Sequence, residues 1–438
     1  MDEEKLLSKK EMEFIIGEDG FKRYYEKIIK ILKEYMDIEE QYYSVISIWI
    51  IGTYIHKQFP AYPYLFFNAM RGSGKTRMLK IIASLSKNGK VAGCMTEAVL
   101  FRTAKNRTLC IDEFESLNAK GNENLKLLLN SAYKKGTTIE RLTKRKTKEG
   151  EQQIVEEFEV YCPVAMANIW GMENVLSDRC IGIILEKSSK IKITKLIENF
   201  ENNSRFQEVR GGLKRLTDNI REDSDIFGDV FNKWNFYQKN VVNEVNNVSN
   251  VNEVNNVSNF DDIYDIDDLY NIFQKINNTN LSGRDLELFF PVFIIADIIR
   301  EDVLNSCLET AKRIVQEKRQ SDREENKDVK MIEFIAQSNL EGYQDVSKIV
   351  KDFQEFLGEE EKWINSRGIS RGLKRLGLIL DRKNTGKLRQ VKLNILKAQE
   401  KLLMFKNPDE IKKLNFSDEE IKQAGYEPEE IRKLQEEK

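Results

Sequence analysis

The chain has 438 residues, with 70 lysines and arginines against 72 aspartates and glutamates, a formal charge of −2 and a single histidine. That length leaves room for roughly three domains at about 150 residues each. The near-neutral balance excludes polyelectrolyte behaviour of the whole chain, so any nucleic-acid surface has to come from local charge asymmetry. The cysteines Cys94, Cys110, Cys162, Cys180 and Cys307 are scattered, mostly within apolar runs, and include no C-x-x-C pair. This pattern suits buried thiols in a reducing cytoplasm, and with His56 as the sole histidine it leaves little from which to build a zinc site or a histidine-based catalytic site. The longest apolar runs, YSVISIWIIGTYI and FFPVFIIADII, are shorter than the ~20 residues a bilayer requires, so neither secretion nor membrane insertion is expected.

In chain order, FKRYYEKIIKILKEYM places Tyr24, Ile28, Ile31, Leu32 and Met36 at three-to-four spacing, and residues 1–60 read as a helical N-terminal region. From 61 to 190 short β-rich runs alternate with helical stretches, the pattern of an α/β fold with a parallel sheet. Residues 191–328 return to helical texture. They are interrupted by VNEVNNVSN twice in succession, Val242–Asn250 and Val251–Asn259. This 242–259 insertion has too few large apolar groups to bury and reads as a solvated loop or linker. Residues 329–395 form a separate small unit. In 396–438, PDEIKKL, SDEEIKQA and PEEIRKL set Ile411, Ile421 and Ile431 ten apart behind helix-start cues, so short helices are expected in a tail that packs, docks or supports an oligomer.

The chemistry concentrates in PYLFFNAMRGSGKTRMLKIIASL, Pro63 to Leu85. A strand-like run enters a glycine-bearing loop and a helical run leaves it, the context a phosphate cradle needs. Gly72, Ser73 and Gly74 free backbone N–H groups for phosphates, Lys75 supplies a mobile positive charge, and the Thr76 hydroxyl is placed to ligate Mg²⁺. Ala69 departs from G-x-x-x-x-G-K-[ST] by standing where the first glycine belongs. If that position needs a left-handed backbone, the methyl costs on the order of 1 kcal/mol. Thirty-six residues beyond Thr76, RTLCIDEFESL ends a short β-prone run in Asp112 and Glu113. A carboxylate pair at the carboxyl end of a buried strand lies where ligands bind parallel sheets. Asp112 would hold Mg²⁺ through water and Glu113 would polarise the attacking water; the competing reading is an acidic helix cap.

With these residues and with AVLFRTAKNRTLCIDEFESL, LLLNSAYKKGTTIERL, CPVAMANIWGMENVLSDRCIGIIL and GRDLELFFPVFIIADI, the chain resembles the AAA+ ATPases over residues 42 to 395. More narrowly, it is similar to the helicase-like ATPases of phages, plasmids and other mobile elements, relatives of the superfamily 3 and MCM-type helicases. The resemblance implies a P-loop NTPase core with a helical N-terminal region, a helical lid and a C-terminal winged helix, assembled into a ring that hydrolyses ATP between subunits. It implies that Asn168 takes the sensor 1 role of orienting water, where the alternative is an amide capping a turn. Arg179 matches the arginine finger that reaches a neighbour's γ-phosphate, against a surface salt bridge with Asp178 or Glu173. Arg284 resembles the sensor 2 arginine, or is an ordinary helical arginine. Arg71, inside the loop, is a further cation near the phosphates.

Two segments point towards DNA. TTIERLTKRKTKEGEQQIVEEFEVYCP alternates on each side of TKEGEQ as a β-hairpin does, with Lys144, Arg145, Lys146 and Lys148 near its tip. Relatives project such a hairpin into a ring's pore, although the glutamates nearby fit a merely solvated hairpin. From Arg367 to Lys392, nine basic residues face the single acid Asp381, a local charge of +8. A helix from about Ser366 to Leu376 followed by two strands around KNTGK is the order of a winged helix, which would bring Arg371, Lys374, Arg375, Lys383 and Lys387 to DNA phosphates. Winged helices also serve as protein contacts. The expected activity is an ATP-dependent DNA helicase or translocase of a mobile element, with ATP and Mg²⁺ as cofactors and DNA and further copies of the chain as partners. The alternative is a nucleotide-switched initiator or regulator that binds DNA without unwinding it.

Overall fold

The computed structural model describes residues 20–93, 97–112, 123–147, 150–168, 174–218, 220, 227–244, 266–325, 327–338, 340, 342–358, 364–385 and 388–403. Two compact units divide the chain, Met1–Ile314 and Val315–Lys438.

In the first unit, α1 (Phe21–Tyr35) buries Tyr24, Ile28, Ile31 and Leu32, the residues whose spacing predicts it. The next helix, α2 (Glu40–Gly52), is apolar on every side and is buried along nearly its whole length, as a helix without a polar face must be. Its end is pinned to the following strand: Trp49 Nε1 donates to the Pro63 carbonyl at 2.7 Å, and Tyr62 Oη donates to the Trp49 carbonyl at 2.8 Å. The approach is so close that a Cβ on Gly52 would fall 2.0 Å from Tyr62 Oη. The N-terminal helices therefore belong to the same compact unit as the α/β core, since their apolar surface is what closes it.

The chain continues through β1 (Tyr64–Ala69), α3 (Lys75–Leu85), β2 (Lys90–Ala92), α4 (Glu97–Thr103), β3 (Leu109–Ile111), α5 (Glu123–Ser131), the hairpin β4 (Thr138–Thr147) and β5 (Gly150–Glu159), β6 (Val164–Asn168), α6 (Asn174–Ser177) and β7 (Cys180–Leu185). Among the described residues the sheet has five strands in the order β2-β3-β6-β1-β7, all neighbours parallel. Its central strands β1, β3 and β6 are almost fully buried, as parallel strands covered on both faces are. The path leaves β1 for the far edge at β2, returns through β3 and β6, and then crosses to β7 on β1's other side. The order thus reverses around β1, and ligands of open parallel sheets bind at the carboxyl ends of strands at such a point.

The expected hairpin is present, with Thr147 opposite Gly150. Its base is anchored where paired Ile139 and Phe158 pack on the core, while the apolar pair Leu142 and Val155, three positions further along the arms, is exposed. Ten-residue arms give it a reach of about 30 Å. Beyond β7 follow α7 (Ile191–Thr194), α8 (Ser204–Thr217), α9 (Gly228–Glu244), α10 (Ile266–Asn277), α11 (Gly283–Ile299) and α12 (Glu301–Glu325). Val242–Glu244, expected to begin a linker, instead end α9; the rest of the 242–259 repeat lies outside the described residues. The division between units falls inside α12, earlier than the expected boundary at 328.

The second unit contains α13 (Lys327–Gln337), β8 (Tyr343–Asp345), α14 (Val346–Leu357), α15 (Ser366–Arg375), β9 (Ile379–Thr385), β10 (Leu388–Leu393) and α16 (Ile395–Leu403). Its antiparallel sheet runs β8-β10-β9. The core joins Ile332, Ile335, Ile349, Phe353, Ile369, Leu373 and Leu378 to Ala398 and Leu402 of α16. The first helix of the expected tail is therefore part of this core, and a boundary at 395 would cut through it. Residues 404–438, with the ten-residue register of isoleucines, lie outside the described residues.

Candidate functional site

The loop between β1 and α3 has the backbone a phosphate cradle requires. Gly72 and Gly74 hold left-handed φ values of 77° and 90°, a conformation that an L side chain resists. Ser73 N–H donates to the Met70 carbonyl at 3.2 Å, tightening the turn. Helix α3 begins at Lys75 with no side chain capping it, which leaves its first-turn amides and positive dipole end facing the loop. Ala69 does not need the left-handed backbone that a glycine would supply. It is the last residue of β1, buried and paired with Leu185, and the non-glycine residues with positive φ among those described are Asn88 and Asn280.

The structure brings this loop to the carboxylate expected of it. Asp112 follows β3, two strands from β1, and accepts a 2.6 Å hydrogen bond at Oδ2 from Thr76 Oγ1. A hydroxyl and a carboxylate oxygen at this separation are hard oxygen donors of the kind Mg²⁺ takes, and Mg²⁺ completes its shell with phosphate oxygens and water. Among the described residues no group of three or more His, Cys, Asp or Glu assembles a protein-only metal site. Thr76 and Asp112 offer two such donors, so a Mg²⁺ held here would take further ligands from phosphate and water. Asn168 ends β6 opposite Asn68 and is 1% exposed, so Gly72–Thr76, Asp112 and Asn168 share the carboxyl edge of the sheet. Glu113 lies outside the described residues.

Arg179 and Arg284 stand at the other edge. Arg179 immediately precedes β7, and its carbonyl accepts from Tyr64 N–H at the start of β1. The length of β1, about 20 Å, thus separates it from the loop. Its guanidinium donates to the Asn130 carbonyl at 2.6 Å and to the Val175 carbonyl, and lies 5.5 Å from the centre of the Tyr133 ring. Arg284 approaches the same ring at 5.6 Å and pairs with Asp178 at 2.9 Å. Asp178, offered by the sequence as a partner for Arg179, thus pairs with Arg284, and Glu173 lies outside the described residues. Both arginines lie against one buried aromatic ring, an arrangement that favours cations. Lys134 lies near this ring too and bonds Glu287 at 2.7 Å, a hydrogen bond that raises its pKa.

Sequence reasoning missed two cations beside the loop. Arg77, in the first turn of α3, donates to the Ile193 and Leu196 carbonyls at 2.9 and 2.8 Å and meets Glu198; it ties the segment after β7 to the loop's helix. Lys187 follows β7, and its Cε would lie 3.2 Å from a Cβ on Gly72. Neither position belongs to a motif, so only the fold reveals them. The described cysteines, Cys110, Cys162, Cys180 and Cys307, are buried free thiols, and burial pushes Cys162 up to about 12. His56 is buried, with Nδ1 against the Thr53 carbonyl at 2.9 Å, a packing role.

In the second unit, Asn365 caps α15, accepting from Arg367 N–H and Gly368 N–H at 3.1 and 3.0 Å. Ile369 and Leu373 face the core, and at helical spacing Arg367, Arg371 and Lys374 fall together on the exposed opposite face. Arg375 is paired with Asp328 at 2.5 Å. Lys383 sits 4.0 Å from the centre of the Tyr343 ring, whose hydroxyl bonds Asp381. Lys387 lies outside the described residues, as do the side chains of Lys144, Arg145 and Lys146, whose backbone in β4 pairs with Gln153, Gln152 and Glu151.

The first unit is an α/β fold with a five-stranded parallel sheet, compatible with a P-loop-type core. No family model matches the chain, and no curated protein matches it. Among solved structures it is similar to the apo A form of the NrS-1 C-terminal region, at 11% identity over 84% of this chain and 75% of that one, with a TM-score of 0.33. A likeness at that score leaves the function to be argued from the residues. No helix among the described residues is long and apolar enough to cross a membrane.

Proposed function

We propose that this chain is an ATPase of AAA+ type that couples hydrolysis to work on DNA, as a helicase or translocase acting in a ring. The observation that carries the reading is the 2.6 Å hydrogen bond from Thr76 to Asp112. It joins a left-handed glycine loop at a helix start to a carboxylate two strands away, on the edge where the strand order reverses. In this reading the loop amides and Lys75 bind the β- and γ-phosphates. Thr76 and Asp112 would hold Mg²⁺, which would neutralise negative charge on the phosphates, and Asn168 would orient water at the end of β6. Arg179 and Arg284, a strand's length away, would serve a neighbour's nucleotide rather than their own. The helix-strand-helix-helix-strand-strand order of the second unit suits a winged helix, with Arg367, Arg371 and Lys374 meeting DNA phosphates.

The decisive measurement is ATP hydrolysis and unwinding of a forked DNA by the full chain and by Lys75→Ala. The expected result is DNA-stimulated hydrolysis with strand separation in the first and loss of both in the second. Absence of hydrolysis and of ATP-dependent assembly in the unaltered chain would overturn the reading. Slow hydrolysis without strand separation, together with tight binding to one duplex sequence, would establish the nucleotide-switched initiator or regulator instead, which the basic face of α15 serves equally well.

A further inference from the structure

The carboxyl end of β7 lies beside that of β1, since Leu185 pairs with Ala69. Residues that follow β7 therefore emerge next to the glycine loop. This exit segment is tethered: Ser188 Oγ donates to Asp37 Oδ2 at 2.8 Å and Lys190 Nζ to Asp37 Oδ1 at 2.6 Å. Both bonds hold the Asp37 carboxyl below the usual carboxylate range, that from Lys190 most strongly. Asp37 follows Met36, whose Cε lies 3.2 Å from where a Cβ on Gly74 would stand. The α1–α2 connection thus covers the loop at Gly74 and also grips the chain that follows β7. In that segment, Lys187 lays its Cε and Nζ 3.2 and 3.8 Å from the corresponding point on Gly72. A positive charge is delivered to the loop from outside the loop's own sequence.

We propose that Lys187 is a second phosphate-binding lysine of the nucleotide site, acting within its own subunit beside Lys75 and held there by the Asp37 tether. This rests on the nucleotide reading above. An ammonium at this position strengthens binding only of ligands that carry phosphates, and Asp37, which touches no ligand, acts as a positioning residue.

The test is binding of fluorescently labelled ATP and ADP, and of adenosine as competitor, to the full chain at low and high salt. Lys187→Ala should weaken ATP binding about tenfold, the scale of one charge-assisted hydrogen bond, with Lys187→Arg recovering most of it and adenosine unaffected. Asp37→Asn should give a smaller loss that vanishes in the Lys187→Ala background. Because Lys187 is exposed, an unchanged melting temperature is expected for its variants. Wild-type ATP and ADP affinity in Lys187→Ala, alongside lost binding in Lys75→Ala, overturns the proposal and leaves the nucleotide reading standing. Failure of the unaltered chain to bind either nucleotide overturns both.

Discussion

At the carboxyl edge of the parallel sheet the chain offers backbone amides, small residues and a mobile lysine; at the amino edge it holds two guanidiniums against one buried tyrosine. The first edge is built almost entirely from neighbours in sequence, Gly72 to Thr76, with one carboxylate brought in by β3. The second draws its arginines from positions 105 residues apart, beside Tyr133. In the isolated chain these arginines are satisfied internally by Asn130, Val175 and Asp178, so holding them costs the folded unit little. A length of about 20 Å between the edges means one subunit cannot apply both to the same phosphate. On the proposed reading, the two edges would act on one nucleotide only where two copies meet.

The largest effect that would break this comparison is at Arg179. Arg179→Ala should lower the rate of ATP hydrolysis about 10³-fold, the contribution of a guanidinium at a transferring phosphoryl group, while leaving ATP binding intact. Mixing it with Lys75→Ala should restore hydrolysis, because the second variant lends its arginine edge to the first variant's intact loop. No recovery at any ratio would mean that the edges do not meet across subunits.

How much of this was readable beforehand follows the same division. The loop, the strand before it and the helix after it are local patterns, and α1, α11, the β4–β5 hairpin and the order around α15 follow from periodicity and turn residues. Thr76 and Asp112 are each legible from their own motif, the glycine loop and the end of β3, but the direct hydrogen bond between them is not. Nor is the placement of Arg284, since a helical arginine carries no sign of the edge it will reach until the topology is known. Lys187 and Arg77 were invisible for the same reason. Strand β8 was missed because three polar, half-buried residues, Tyr343–Asp345, have no apolar alternation and become a strand only by pairing with β10.

A middle-sized effect separates the sheet from the second unit. Arg371→Ala with Lys374→Ala removes two cations from the exposed face of α15 without touching Ile369 or Leu373 beneath. Duplex affinity should fall roughly tenfold to a hundredfold and the slope of log affinity against log salt should shrink by about 2. Hydrolysis measured without DNA should stay at the level of the unaltered chain. A double variant with unchanged affinity and slope would move the DNA surface elsewhere, the hairpin arms being the next place to look.

The smallest effect concerns Ala69, where the loop departs from the glycine pattern. A glycine there would be expected to repair the site only if the position required left-handed backbone. Ala69 is instead a strand residue, 1% exposed and in register with Leu185, so its methyl is packed and its backbone ordinary. Ala69→Gly should leave the KM for ATP within about threefold and should destabilise the unit by about 0.5–1 kcal/mol, because glycine surrenders more chain entropy in a strand. Denaturant unfolding and steady-state hydrolysis measure the two terms separately. A gain in stability, or a large fall in KM, would mean that the turn begins one residue earlier than the β1–β7 register places it.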